Sequence, residues 1–140
     1  MVHHLSFERL VAYDPGQAGI TVDVTLSLFE KRVAFTAKVD TGASYCIFAR
    51  QHGEALGLDV EGGLLQPIST ATGRFTTYGH EVTLEVTGFA FDSLVYFAAD
   101  AGFTRNVLGR HGWLDRVVLG IVDYEGKLLL SPYAAESPAV

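Results

Sequence analysis

A chain of 140 residues can bury one core and is too short for two ordinary domains. Hydrophobic residues make up 49% and charged residues only 19%, which excludes a disordered or tail-like chain. The formal charge of −6, with ten Lys and Arg scattered along the sequence, excludes the clustered basic surface that phosphate binding needs, so no nucleic-acid partner is expected. Cys46 is the only cysteine and leaves no internal disulfide framework. No apolar run reaches the ~18 residues of a membrane span, and the N-terminus lacks the charged and apolar regions of a secretory signal. The expected location is cytoplasmic, with no membrane partner.

Residues 1–19 form an N-terminal segment with room for one strand; adjacent histidines such as His3 and His4 at a chain end usually signal neither a metal site nor a tag. From Ile20 to Phe29 the alternation is clear, with Ile20, Val22, Val24, Leu26 and Leu28 on one face and Thr21, Asp23, Thr25 and Ser27 on the other. This predicts a half-buried strand. Glu30-Lys31-Arg32 reads as a polar turn, after which Val33, Phe35, Ala37 and Val39 resume the period of two and deliver Asp40 at a strand end. Ala49 to Leu58 is helix-compatible, with Ala49, Leu56 and Leu58 facing the core and Gly57 closing the turn. Leu65–Thr70 and Phe75–Val86 flank Ala71-Thr72-Gly73-Arg74, a hairpin with Gly73 as its turn residue. Phe89–Ala99 is a strand bounded by Gly88 and Ala101-Gly102, and Val117–Val122 with Leu128–Leu130 form a last hairpin around Gly126. Residues 134–140 are a tail, either unstructured or an interface strand.

Short strands at regular spacing with one or two brief helices predict an all-β fold, a mostly antiparallel closed or near-closed barrel over residues 20–133. A weak internal echo runs through it: a strand, a Gly-bearing loop and a short helix occur at Val33–Gly57 and again at Ser93–Leu114.

Two segments carry chemistry. In Val39-Asp40-Thr41-Gly42-Ala43-Ser44 a carboxylate, a hydroxyl and a freely turning backbone follow an apolar strand. Further on comes Asn106-Val107-Leu108-Gly109-Arg110-His111-Gly112-Trp113-Leu114-Asp115, an apolar pair, Gly-Arg and a short helix. Their order and spacing resemble the retropepsin-like branch of the aspartic proteases over roughly Ile20 to Pro132. The resemblance implies a single-lobe acid-protease fold and an aspartic-type endopeptidase acting on polypeptide, with no cofactor and no metal. It makes Asp40 catalytic, with Thr41, Gly42, Ala43 and Ser44 supporting the loop. It also places a substrate-covering flap at Thr70, Ala71, Thr72 and Gly73, and structural support at Leu108, Gly109 and Arg110.

A lone exposed aspartate, with a pKa of roughly 4, is a poor base at neutral pH. Two facing carboxylates retain and share one proton, so one can donate while the other accepts. The chain holds one Asp-Thr-Gly. Asp100-Ala101-Gly102 lacks the loop-locking hydroxyl, so the expected solution is a homodimer in which two Asp40 residues meet across a two-fold axis. Viral members of the family often carry an aspartate where this chain has Ser44, and that aspartate pairs with the arginine of Gly-Arg. Here Asp115 and the Ser44 hydroxyl are the candidate partners of Arg110.

Other readings remain beside this one. Asp followed by Thr-Gly is ordinary turn chemistry. Cys46 within Tyr45-Cys46-Ile47-Phe48 reads as a small buried apolar residue without a thiol-protease signature, and Ser44 lacks the Gly-x-Ser-x-Gly elbow. His52, His80 and His111 have no metal-ligand spacing, although His111 beside Arg110 could tune an interface with pH. Trp113 and Leu114 read as core anchors. The alternative function is a non-catalytic dimer that holds an extended peptide by strand addition or assembles a larger complex; a third is processing confined to one partner protein.

Overall fold

A computed structural model describes residues 1–134. The second strand of the chain shows why the fold forms as it does. Following β1 (Arg9–Ala12), β2 (Thr21–Leu28) buries Val22, Val24 and Leu26 and turns Thr21 and Asp23 to solvent. β3 (Lys31–Val39) pairs with it antiparallel from Leu28–Lys31 to Thr21–Lys38. The turn between them is Phe29-Glu30 rather than Glu30-Lys31-Arg32: Phe29 sits at φ 54 and is almost fully exposed, while Lys31 and Arg32 already belong to the ladder. Long basic side chains on the outward face of a hairpin end stay solvated, so polarity there did not mark the turn.

Two-residue β4 (Ile47–Phe48) leads into α1 (Arg50–Ala55), shorter than the predicted 49–58 but with Ala49 and Leu56 buried and Leu58 packed on the core. β5 (Leu64–Thr70) and β6 (Gly73–Val86) form a long hairpin whose two-residue turn is Ala71-Thr72, with Gly73 paired to Thr70 inside the ladder. β7 (Phe89–Ala98), β8 (Val107–Leu108), β9 (Val117–Val122) and β10 (Lys127–Pro132) complete the strands among the described residues.

Hydrogen-bonded neighbours run β2-β3-β8-β4-β7-β6-β5, and β2 also pairs with β6, so six of these seven strands form a ring with β5 as its outer edge. The ring encloses Leu26, Leu84, Val95, Phe97, Phe48 and Trp113. The internal echo becomes an interlock: β3 runs parallel to β8, β4 runs parallel to β7, and Tyr45 bridges to His111. β9 and β10 lie outside the ring, in a three-stranded sheet of order β1-β10-β9 that places Leu128 and Leu130 in the core. Of the predicted tail, 135–140 lies outside the described residues.

Candidate active site

Asp40 stands one residue beyond β3, and the ladder continues through it: its N–H donates to the Leu108 carbonyl at 3.0 Å. Its Oδ1 accepts the Gly42 N–H at 3.0 Å and its carbonyl accepts the Ala43 N–H at 3.2 Å. This is an Asx turn, which fixes one carboxylate oxygen and leaves the other for chemistry. The loop then crosses the second segment, where Arg110 N–H donates to Ala43 O at 2.8 Å and His111 N–H to Ser44 O at 2.9 Å. At this crossing a Cβ on Gly109 would lie 2.2 Å from the Tyr45 carbonyl oxygen, so only glycine lets the two backbones meet.

The echoed loop repeats the motif. Asp100 Oδ1 accepts the Gly102 N–H at 2.8 Å, and Phe103 N–H donates to Asp100 O at 3.1 Å. Asp100 nevertheless does not line the cleft, whereas Asp40 does.

That cleft holds about 760 Å³ between the Asp40 loop and the β5–β6 hairpin. Gly42, Ala43 and Ser44 line it with Asp40, while Thr41 does not; Thr41 is exposed. From the hairpin, Ile68, Ser69, Thr70 and Phe75 reach the cleft, and the tip residues Ala71, Thr72 and Gly73 do not. Phe75 stacks on Phe103, with ring centroids 4.8 Å apart and planes at 26°, tying the hairpin just behind its tip to the loop after β7. Leu108 and Gly109 are buried beside the Asp40 loop, with the Leu108 carbonyl accepting the Asp40 N–H.

Asp115 N–H donates to Arg110 O at 2.9 Å, but neither candidate partner pairs with the guanidinium of Arg110. Its side chain is exposed and makes no ion pair among the described residues. Asp115 is occupied elsewhere: its Oδ1 accepts the Gly112 N–H at 3.1 Å and its Oδ2 lies 3.7 Å from His111 Nδ1. Ser44 is exposed and engages through its backbone carbonyl. The segments are therefore joined by main chain, and neither candidate side-chain contact of Arg110, to Asp115 or to the Ser44 hydroxyl, is formed.

The competing nucleophile is inert. Cys46 is fully buried, its sulfur lies 3.9 Å from Gly109 O and 3.8 Å from His111 O, and burial pushes the thiol up to about 12, aided by the Asp115 charge. His52 is stacked on Phe35 at 3.9 Å with its Nε2 buried and unpartnered, and His80 Nε2 lies 2.8 Å from Val60 O. Among the described residues no cluster of three or more His, Cys, Asp or Glu could hold a metal ion. No helix among them is long and apolar enough to cross a membrane.

Sequence reasoning missed Lys38, Ile68, Phe75, Phe103 and Arg105 as cleft residues. Lys38 alone had a visible signal, being two residues before Asp40 on an alternating strand. The loop after β7 enters the cleft only because β8 runs beside β3.

The fold has solved counterparts. A retropepsin-like aspartic protease from Rickettsia conorii superposes with a TM-score of 0.62 at 20% identity, covering 88% of this chain and 97% of that one. The EIAV protease complexed with the inhibitor HBY-793 superposes with a TM-score of 0.54 at 20% identity, covering 71% and 88%. No curated protein matches the sequence. The model of the aspartyl protease family matches residues 22–121, from β2 through the Asp40 loop and the Gly109 crossing into β9. The chain belongs to the aspartyl protease family and is an aspartic-type endopeptidase.

Proposed function

We propose that the active enzyme is a homodimer in which Asp40 of each copy faces the other and the two carboxylates share one proton. One observation carries this reading: Asp40 is held by the Gly42 N–H on the cleft wall opposite the β5–β6 hairpin, and the chain has a single Asp-Thr-Gly. A polypeptide substrate lies extended between the Asp40 pair and the hairpins. The ionised carboxylate takes a proton from water as the water oxygen adds to the peptide carbonyl carbon, and the protonated carboxyl donates to the carbonyl oxygen. The tetrahedral diol then collapses: the carboxyl that took the water proton gives it to the amide nitrogen, the other carboxylate takes a proton from one diol hydroxyl, the C–N bond breaks, and the acid and the free amine leave with the pair again sharing one proton. No covalent enzyme intermediate and no metal take part.

The remaining assignments belong to the same reading. Thr41 is exposed at the loop apex, where its hydroxyl can bond across the two-fold axis. Gly42 and Ala43 leave room for the substrate backbone, and the hairpin around Thr70 to Gly73 covers it and excludes water. Residues 20–133 form the catalytic domain, and the single reduced, buried Cys46 suits a cytoplasmic enzyme.

Asp40→Asn tests the mechanism, because an amide oxygen can still accept the Gly42 N–H and keep the loop. Cleavage of a mixed peptide library should fall by on the order of 10³-fold or more, while the melting transition stays near wild type. Equal cleavage by a folded Asp40→Asn dimer would sink the mechanism. No cleavage by folded, dimeric wild type would favour a peptide-binding module instead.

A further inference from the structure

Apart from Asp40, the charged side chains lining the cleft are Lys38 and Arg105, and both are basic. This is notable in a chain with sixteen acidic and ten basic residues. Among the described residues neither cation has a carboxylate partner; the ion pairs there use Arg32, Arg50, His111 and Lys127.

Their placement follows from the backbone. Lys38 and Asp40 are alternate residues of one extended segment, so their side chains leave the same face about 6–7 Å apart. Lys38 N–H donates to Asn106 O at 2.9 Å, and the parallel pairing of Lys38 with Val107 sets Arg105 beside the same stretch of β3. The Lys38 stem also crosses Gly19, where a Cβ would lie 2.6 Å from its Cε; Gly19 holds φ +106, a conformation that other residues rarely adopt. The sequence thus keeps a path clear for the lysine stem. Both cations are exposed, and so solvated and ready to meet an anion, with no internal carboxylate to displace.

We propose that Lys38 and Arg105 form an anionic subsite that selects substrates with a glutamate or aspartate side chain close to the scissile bond. This rests on the reading that the cleft binds polypeptide for cleavage. Two partly exposed cations support a preference of about fivefold for Glu over Gln at the matching position, weakening as salt screens them.

The test separates specificity from catalysis. The Asp40→Asn chain is incubated with a mixed synthetic peptide library, retained peptides are identified by mass spectrometry, and wild type is run in parallel for cleavage. Glu and Asp should be enriched among retained peptides and beside wild-type cuts. The Lys38→Met/Arg105→Gln pair should bring the Glu-to-Gln ratio to about one, and Lys38→Glu/Arg105→Glu should shift it toward Lys and Arg. Acidic enrichment on the Asp40→Asn chain without wild-type cleavage would support the subsite and reject only the protease mechanism. Retained or cleaved peptides with no acidic bias, or a bias unchanged in both double variants, would overturn the subsite.

Discussion

Gly109 is the residue on which the site depends most directly. A methyl group there meets the Tyr45 carbonyl at 2.2 Å and the Ala43 carbonyl at 2.9 Å, both main-chain atoms that cannot swing away. Gly109→Ala should therefore cost at least about 3 kcal/mol in urea unfolding and displace the Asp40 loop. His52 gives a second prediction at this scale. Its buried, unpartnered Nε2 favours the neutral ring, and burial lowers its pKa from the ordinary 6.5. The unfolded chain then takes up a proton before the folded one does. Its contribution to stability is full above about pH 6.5 and is lost as the pH falls through the folded-state value. His52→Phe keeps an aromatic ring on Phe35 and removes the orphaned nitrogen, so it should raise stability by about 1 kcal/mol at neutral pH and by more at about pH 5. Denaturant titrations at the two pH values would show it, and an unchanged pH dependence would rule His52 out.

Among the elements, the β5–β6 hairpin is the one whose position governs the cleft. Its tip, Ala71-Thr72, is held only locally, through Thr70 Oγ1 donating to Gly73 O at 3.0 Å. A few residues behind the tip it is anchored by the Phe75–Phe103 stack and by Ala99 N–H donating to Thr76 O at 2.9 Å. An aromatic pair contributes roughly 0.5–1.5 kcal/mol beyond its burial. Phe75→Ala should then speed amide hydrogen exchange in the hairpin by up to about tenfold while shifting global unfolding by less than about 1 kcal/mol. Exchange unchanged in the hairpin would show that the stack does not hold it. Most strands were legible because alternation reports directly which face is buried, as in Val22, Val24 and Leu26. The turns were less so: Phe29, an exposed aromatic at positive φ, carries no local signal for the turn it makes, and Gly73 drew attention one residue past the real one.

For the whole molecule, dimerisation is the property that decides activity under the proposed mechanism. Each chain carries a formal charge of −6, so two copies repel, and raising ionic strength toward about 0.15 M should tighten the dimer. Sedimentation equilibrium across a salt series checks this, alongside a specific activity that rises with protein concentration. Dissociation on adding salt would instead point to an interface held by ion pairs. The sequence by itself determined the all-β class, the exit of Asp40 from a buried strand and the motif pair around Asp40 and Gly109, since each rests on local periodicity or on a run of adjacent residues. Only the tertiary structure decided that the two segments lock through main-chain bonds while Arg110 makes no ion pair among the described residues, that β9 and β10 stand outside the ring in a sheet with β1, and that Phe103 and Arg105 enter the cleft. Those features depend on contacts between residues some sixty or more positions apart, such as Asp40 with Leu108 and Arg9 with Leu130, and no local pattern in a single sequence records which distant strands will meet.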